Sequence, residues 1–504
     1  MRVLFTALLA LLAVTVTTPL RAAEWMEVRT AHFTLYGKQS QKDLVQLAGR
    51  LERMNRLLGM LLPHARATLN SEAERPLLIY VLSASDVKSL SGSALQAGFY
   101  SFDKRNGYAV VTRGEGAGPF SLDQEVILFH EFAHHFMLAN SNAAYPAWYI
   151  EGFAEFFSTV KFQDDDKVQF GNPPMVRVPQ LVTAGIYPID KLLHQSARGL
   201  NRADGDRYYG AAWLLTHYLV TNKARGKEFE AYVTDLASPR GARDVASYFN
   251  GGEAALTREL RAYVKTRLPA YRIPVPIEGL AQPQARQLAP DEAAVLLLDL
   301  HLKRRLEDEG RKELAERIRA VARQYPQSGL AQTLFAEALE QIDDWTGAMA
   351  AADAAIRLAP ASSRALADRA DILLARSETD KGEPPFGDIV KAIVAANRAD
   401  LQDPYPLLLY YRVKRMQGTG PAPDVAFEGL EKAFLQLPQS PAYRWAYADA
   451  LAARKDYANA VTVITPLAND PHGEGGTGRA DAMRQRYIAL RDGKPDPQAG
   501  AEGD

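Results

Sequence analysis

The stretch FHEFAHHF, residues 129–136, sets His130 and His134 four positions apart, with Glu131 beside the first of them. On an α-helix such positions lie within about 40° of each other, so two imidazoles at this spacing reach one cation. A carboxylate on the rim next to them is placed to take a proton from a water on that cation. His135 lies about 100° around the helix from His134 and reads as a packing or supporting group, not as a ligand of the same ion. The chain has no cysteine, so any zinc must be held by nitrogen and oxygen. A catalytic zinc takes three protein ligands and keeps one position open for water. The stretch YPAWYIEGFAEFFS, residues 145–158, offers carboxylates for the third place. Glu151 and Glu155 fall one turn apart on one face of a helix opened by Pro146. His217, inside the amphipathic AAWLLTHYLV, reads as a core histidine.

These motifs resemble the gluzincin, or peptidase-MA-like, zinc metallopeptidases, which share a thermolysin-like core. The resemblance spans roughly residues 24–270 and rests on HEFAHH, PAWYIEGFAE and YYGAAWLLTHYL. It implies a zincin-like fold and one zinc per chain, held by His130, His134 and Glu151. It makes Glu131 the general base and gives Glu155 the task of accepting a ring N–H from a ligating histidine. It places an oxyanion-stabilising tyrosine at Tyr209, with Tyr208 as the near alternative. Two features depart from the family. No Gly-x-Met-Glu-Asn strand for anchoring a substrate amine is present, and Ile150 stands where the family has asparagine before the third ligand. The resemblance therefore points away from an aminopeptidase, toward an endopeptidase or a peptidase with a narrow natural substrate.

Positioning such a site requires strands and packed helices around it. EWMEVRTAHFTLYG alternates as a strand does, LLIYVLS at 77–83 is a more continuously apolar strand, and leucines from Leu44 to Leu61 recur at helical spacing between them. NGYAVVTRG at 106–114 adds a strand just ahead of the histidine helix, expected to read an extended peptide by edge pairing. Helical patterning then continues to the proline-bearing RIPVPIEGLAQPQARQLAP, residues 272–290, which reads as a linker.

Beyond it, Pro326 and Pro360 are 34 residues apart, as are Pro404 and Pro438, with Pro471 following after 33. This is the tetratricopeptide period. Ala336, Ala348, Ala355, Ala426, Ala433, Ala448 and Ala460 fall where close-packed helices need small residues. The longer interval from Pro360 to Pro404 fits one repeat with SETDKGEPPFG inserted between its helices. The organisation expected is a signal peptide over 1–23, an α+β zincin-like catalytic domain over 24–271, the linker, all-α helical repeats over 291–491, and a disordered tail over 492–504.

Arg2, the apolar run Val3–Val16 and the small residues of LRAAEW mark the signal peptide and imply export, to a bacterial periplasm or the medium. No later stretch has the length and apolarity of a membrane span. Fifty-nine basic against sixty acidic residues leave a net charge of −1, which argues against nucleic acid as a partner. The expected function is that of an exported zinc metallopeptidase, a hydrolase cleaving peptide or protein substrates, with repeats that bind protein. The alternative is a non-catalytic tetratricopeptide adaptor carrying a metal-stabilised, peptidase-like module. A cell-wall amide as substrate would use the same zinc chemistry.

Overall fold

A computed structural model describes residues 24–62, 75–92, 97–113, 123–163, 166–238, 241–380, 383–468 and 477–497. The signal peptide expected over 1–23 and the end of the tail, 498–504, lie outside the described residues.

The N-terminal part is built on a mixed six-stranded sheet. In chain order its elements begin with β1 (Met26–Arg29), β2 (Phe33–Gly37), α1 (Gln41–Leu61), β3 (Leu77–Leu82), α2 (Ala84–Ser91), β4 (Gly98–Phe102) and β5 (Gly107–Thr112). They continue with α3 (Gln124–Ala139), α4 (Ala147–Ser158), β6 (Lys161–Phe162), β7 (Lys167–Phe170), α5 (Val178–Thr183), α6 (Ile189–His194), α7 (Arg202–Thr221), α8 (Lys223–Leu236), α9 (Gly252–Tyr263), β8 (Tyr271–Pro274) and β9 (Gln284–Gln287). The order in the sheet is β4-β5-β3-β2-β1-β9, with β3 parallel to both β2 and β5.

Both faces of this sheet are covered, which explains why LLIYVL reads as a continuous apolar run and not as an alternating one. Leu77, Ile79 and Val81 join Ala109 and Val111 in the large core beneath α1, α3 and α4. Tyr80 and Leu82 face the other way with Tyr108 and Val110, against Val87 and Leu90 of α2 and Leu300 of the first repeat helix. Helix α4 is buried along its length from Trp148 to Ser158 and forms the centre of the domain.

Two expectations are corrected here. Residues 272–290 are not a linker, because β8 pairs with β7 in a three-stranded sheet and β9 pairs with β1 to close the large sheet. Prolines gave the segment its linker-like composition, while the pairing partner of β9 lies at the far end of the domain. Arg286 of β9 donates to Glu27 of β1 at 2.7 and 3.0 Å and fixes that closure. Likewise β5, the strand expected to read a peptide by its edge, is hydrogen-bonded on both sides, to β3 and β4. The edge strand on this side of the sheet is β4. It runs so close to the histidine helix that a Cβ on Gly98 would lie 2.5 Å from Ile127 and 3.0 Å from the Val110 carbonyl.

The C-terminal part is all helix: α10 (Pro290–Leu302), α11 (Asp308–Gln324), α12 (Gly329–Glu340), α13 (Trp345–Leu358), α14 (Ser363–Asp380), α15 (Phe386–Ala399), α16 (Tyr405–Met416), α17 (Asp424–Gln436), α18 (Pro441–Ala453), α19 (Tyr457–Ala468) and α20 (Thr477–Arg491). Successive helices pack on one another, and the first helices of successive pairs pack in a row, α10 on α12, α12 on α14 and α14 on α16. Four of the periodic prolines each close one pair just before the next begins, and Pro471 lies outside the described residues. Pro326 precedes α12, Pro360 precedes α14, Pro404 precedes α16 and Pro438 precedes α18. The seven spaced alanines are all buried, at 0–1% exposure, where helices touch. Within the inserted SETDKGEPPFG, Ser377–Asp380 extend α14 and Phe386 and Gly387 open α15. Among the described residues no helix is long and apolar enough to cross a membrane.

Candidate metal centre

Helix α3 starts at an Asp123 cap whose side chain accepts from the Glu125 N–H, and it lays Phe129, Phe132, Ala133 and Phe136 into the core. That burial fixes the rotation of the helix, so that His130 and His134 turn together toward α4. Their Nε2 atoms stand 3.0 Å apart, and Glu151 Oε2 lies 3.5 Å from each. Among the described residues these three form the group of potential ligands whose atoms all lie within 4.8 Å of one another. His134 and Glu151 are buried, while His130 is partly open.

The residues fit a zinc ion. A tetrahedral ion with bonds of about 2.0–2.2 Å holds its ligands roughly 3.3–3.6 Å apart, close to the spacing seen. The electrostatics agree. Burial disfavours a charged His130, yet the hydrogen bond to Glu151 and the charges of Glu155, Glu131 and Glu151 outweigh it and raise its pKa above the ordinary histidine value. The site attracts positive charge.

Glycine at position 152 is what lets α4 carry Glu151 here. Helix α4 crosses α7 so closely that a Cβ on Gly152 would sit 2.5 Å from the Ala212 carbonyl and 2.2 Å from Thr216 Oγ1. The same crossing brings Tyr209 of α7 to the site, its ring 6.5 Å from that of His130. The Glu151 charge, and then burial, push the Tyr209 phenol far above its ordinary range, so it remains a donor. Tyr208 points away, donating to the Gln195 carbonyl at 2.8 Å within the core.

Glu155 is placed differently from the expectation. Its Oε1 is 3.9 Å from His130 Nδ1, outside hydrogen-bond range, and accepts instead from Arg177 at 3.0 Å. Arg177 also donates to Asp206 at 2.5 Å and lies over the Tyr209 ring at 4.9 Å. It links Glu155 to Tyr209, and sequence reasoning missed it because a lone arginine in PPMVRVPQ carries no local signal. His135 Nδ1 meets the Tyr100 hydroxyl at 3.1 Å and ties α3 to the edge strand β4. His217 is fully buried between the Pro269 carbonyl and the Tyr263 hydroxyl.

No family model matches the chain, and no curated protein matches it. Among solved structures it is similar to the crystal structure of yeast Tom70, a helical-repeat protein, at 11% identity and a TM-score of 0.29, over 74% of this chain and 75% of that one. The expectation of an endopeptidase that reads an extended peptide along β5 is corrected, because that strand is internal to the sheet, hydrogen-bonded to both β3 and β4.

Proposed function

We propose that this chain is an exported helical-repeat adaptor that binds protein, and that its N-terminal zincin-like domain carries one zinc ion on His130, His134 and Glu151. The observation supporting the metal is the convergence of those three ligand atoms within 4.8 Å. Support for the adaptor is the row of stacked helix pairs, which presents an extended inner face of the kind that holds protein segments. The test begins with the chain expressed from Glu24 onward and purified without chelator, beside a His134→Ala variant. About one zinc per chain, absent from the variant, is the expected elemental analysis. A metal-free chain even after reconstitution would remove the metal from the proposal and leave the adaptor alone.

The ligand set favours a second reading at the same ion. Structural zinc sites close all four positions with protein ligands, whereas three protein ligands leave one position for water or substrate. Zinc held this way supplies a more acidic water and a polarised carbonyl. Around it, Glu131 is the acid–base group and the Tyr209 phenol is a hydrogen-bond donor toward a developing oxyanion. Amide hydrolysis that is lost in Glu131→Gln while zinc is retained would make the module a hydrolase. Identical behaviour of the two proteins on an amide panel leaves it a structural module.

A further inference from the structure

The four residues Asp103–Asn106 link β4 to β5 in a tight turn that packs on the inner face of the repeats. The turn is preformed: Asp103 Oδ1 accepts from the backbone N–H groups of Arg105 and Asn106, each at 2.7 Å, and the Asp103 N–H reaches the Asn106 carbonyl at 2.9 Å. This arrangement projects Lys104 and Arg105 toward α14, α16 and α18.

Every part of that dibasic step is met by the repeats. Arg105 donates to Asp368 of α14 at 2.6 Å and to Asp403, just ahead of α16, at 3.3 Å. Their side chains are 12%, 1% and 3% exposed respectively, so these charges are withdrawn from water together. The Lys104 ammonium donates to Asp371 at 2.7 Å. Tyr405 puts its ring under both cations, at 5.0 and 4.9 Å, and its hydroxyl on Asp371. Tyr443 of α18 donates to the Lys104 carbonyl at 2.6 Å, which is recognition of main chain as well as side chain. A cavity of about 750 Å³ adjoins the turn, lined in part by Asp299, Glu337, Glu340 and Arg364, so the inner face extends beyond what the turn fills.

We propose that Asp368, Asp371, Asp403, Tyr405 and Tyr443 form a receptor for a Lys-Arg turn, that the chain's own Lys104-Arg105 turn is its resident occupant, and that a protein partner presenting such a turn binds by displacing it. The inference rests on the adaptor reading and names the chemistry of its partner. Displacement has a path to the metal centre, because the released hairpin contains β4, whose Tyr100 hydroxyl holds His135 next to the ligand His134.

The probe is a cyclised, fluorescein-labelled peptide of residues 99–110, FYSFDKRNGYAV, read by anisotropy on the chain from Glu24 onward. The expected result is at least tenfold tighter binding to the Lys104→Ala/Arg105→Ala double variant than to the parent chain. A peptide with alanines in place of Lys-Arg should not bind, and adding Asp368→Asn and Asp403→Asn to the double variant should remove binding. Equal affinity for parent and double variant, or equal binding of the alanine peptide, overturns the proposal. Should the double variant lose its circular dichroism signature of folding, hydrogen exchange on the parent chain decides. Saturating peptide should raise exchange over residues 98–112, and unchanged exchange overturns the proposal. Zinc content measured on the same samples reports on the metal module, so failure there is separate from failure of the turn receptor.

Discussion

Charge is handled in different ways in two regions of this molecule. Where the hairpin meets the repeats, each base makes direct ion pairs with one or two acids: Arg105 with Asp368 and Asp403, Lys104 with Asp371, Lys303 with Asp103 and Asp299, and Arg364 with Asp299 and Glu337. Around His130 the balance is unequal. Glu131, Glu151 and Glu155 all act on one imidazole, and the arginine that reaches them, Arg177, is shared between Glu155 and Asp206. Direct ion pairs of this kind lock two bodies together in one geometry. Carboxylates around two facing imidazoles are instead the composition that would hold a cation.

The largest effect should come from opening the lock. Arg105→Ala strands Asp368 and Asp403 without their guanidinium, and removing one partner of such a buried pair costs about 3–5 kcal/mol. Denaturant unfolding should show the midpoint falling, or the single transition dividing in two as sheet and repeats part company. A change below about 1 kcal/mol would mean that these ion pairs do not hold the two parts together.

At the metal centre the corresponding break is steric. Gly152→Ala drives a methyl against the Ala212 carbonyl and Thr216, and overpacking of this kind costs about 1–3 kcal/mol. Because Glu151 precedes the glycine, weaker zinc retention in a chelator competition should accompany the lower stability. Loss of stability with zinc retention unchanged would show that α4 can shift without moving its ligand.

The smallest effect is a pH dependence within the charge cluster at the repeats. Burial pushes the Glu340 carboxyl up to about 7, against the partial relief supplied by Lys104. Its folded pKa therefore lies above its unfolded value, and the folded state holds the extra proton between them. Stability from this group is complete below about 4.5 and is lost as pH rises through about 7, on the order of 2 kcal/mol. Glu340→Gln should flatten the denaturant midpoint between pH 5 and pH 8. A slope equal to that of the parent chain would place the titration elsewhere.

Much of this layout was readable from local pattern. The spacing of His130 and His134, and that of Glu151 after Pro146, placed two helices whose faces do converge, since a turn-spaced pair exposes one face whatever surrounds it. The proline period marked where each helix pair ends, because close-packed pairs of fixed length repeat their punctuation. What escaped was long-range. Arg177 reaches Glu155 from a separate loop, and β9 meets β1 across 259 residues of sequence. The same limit hid the internal position of β5, since an edge is a property of the assembled sheet. Lys104 and Arg105 looked like an ordinary solvated turn, and their carboxylate partners lie more than 250 residues onward.

The pairing of β9 with β1 also sets the order in which the chain can mature. The first strand of the sheet is made long before the strand that covers its outer edge, and until Gln284–Gln287 arrive Glu27 has no Arg286 to meet. Closure of the sheet is thus among the last events of the N-terminal half, coming just as α10 begins. The helical pairs that follow depend on neighbours in sequence and assemble with little delay. A nascent chain therefore carries an open β1 edge until Gln284–Gln287 are made, and such an edge is a template for pairing with another chain.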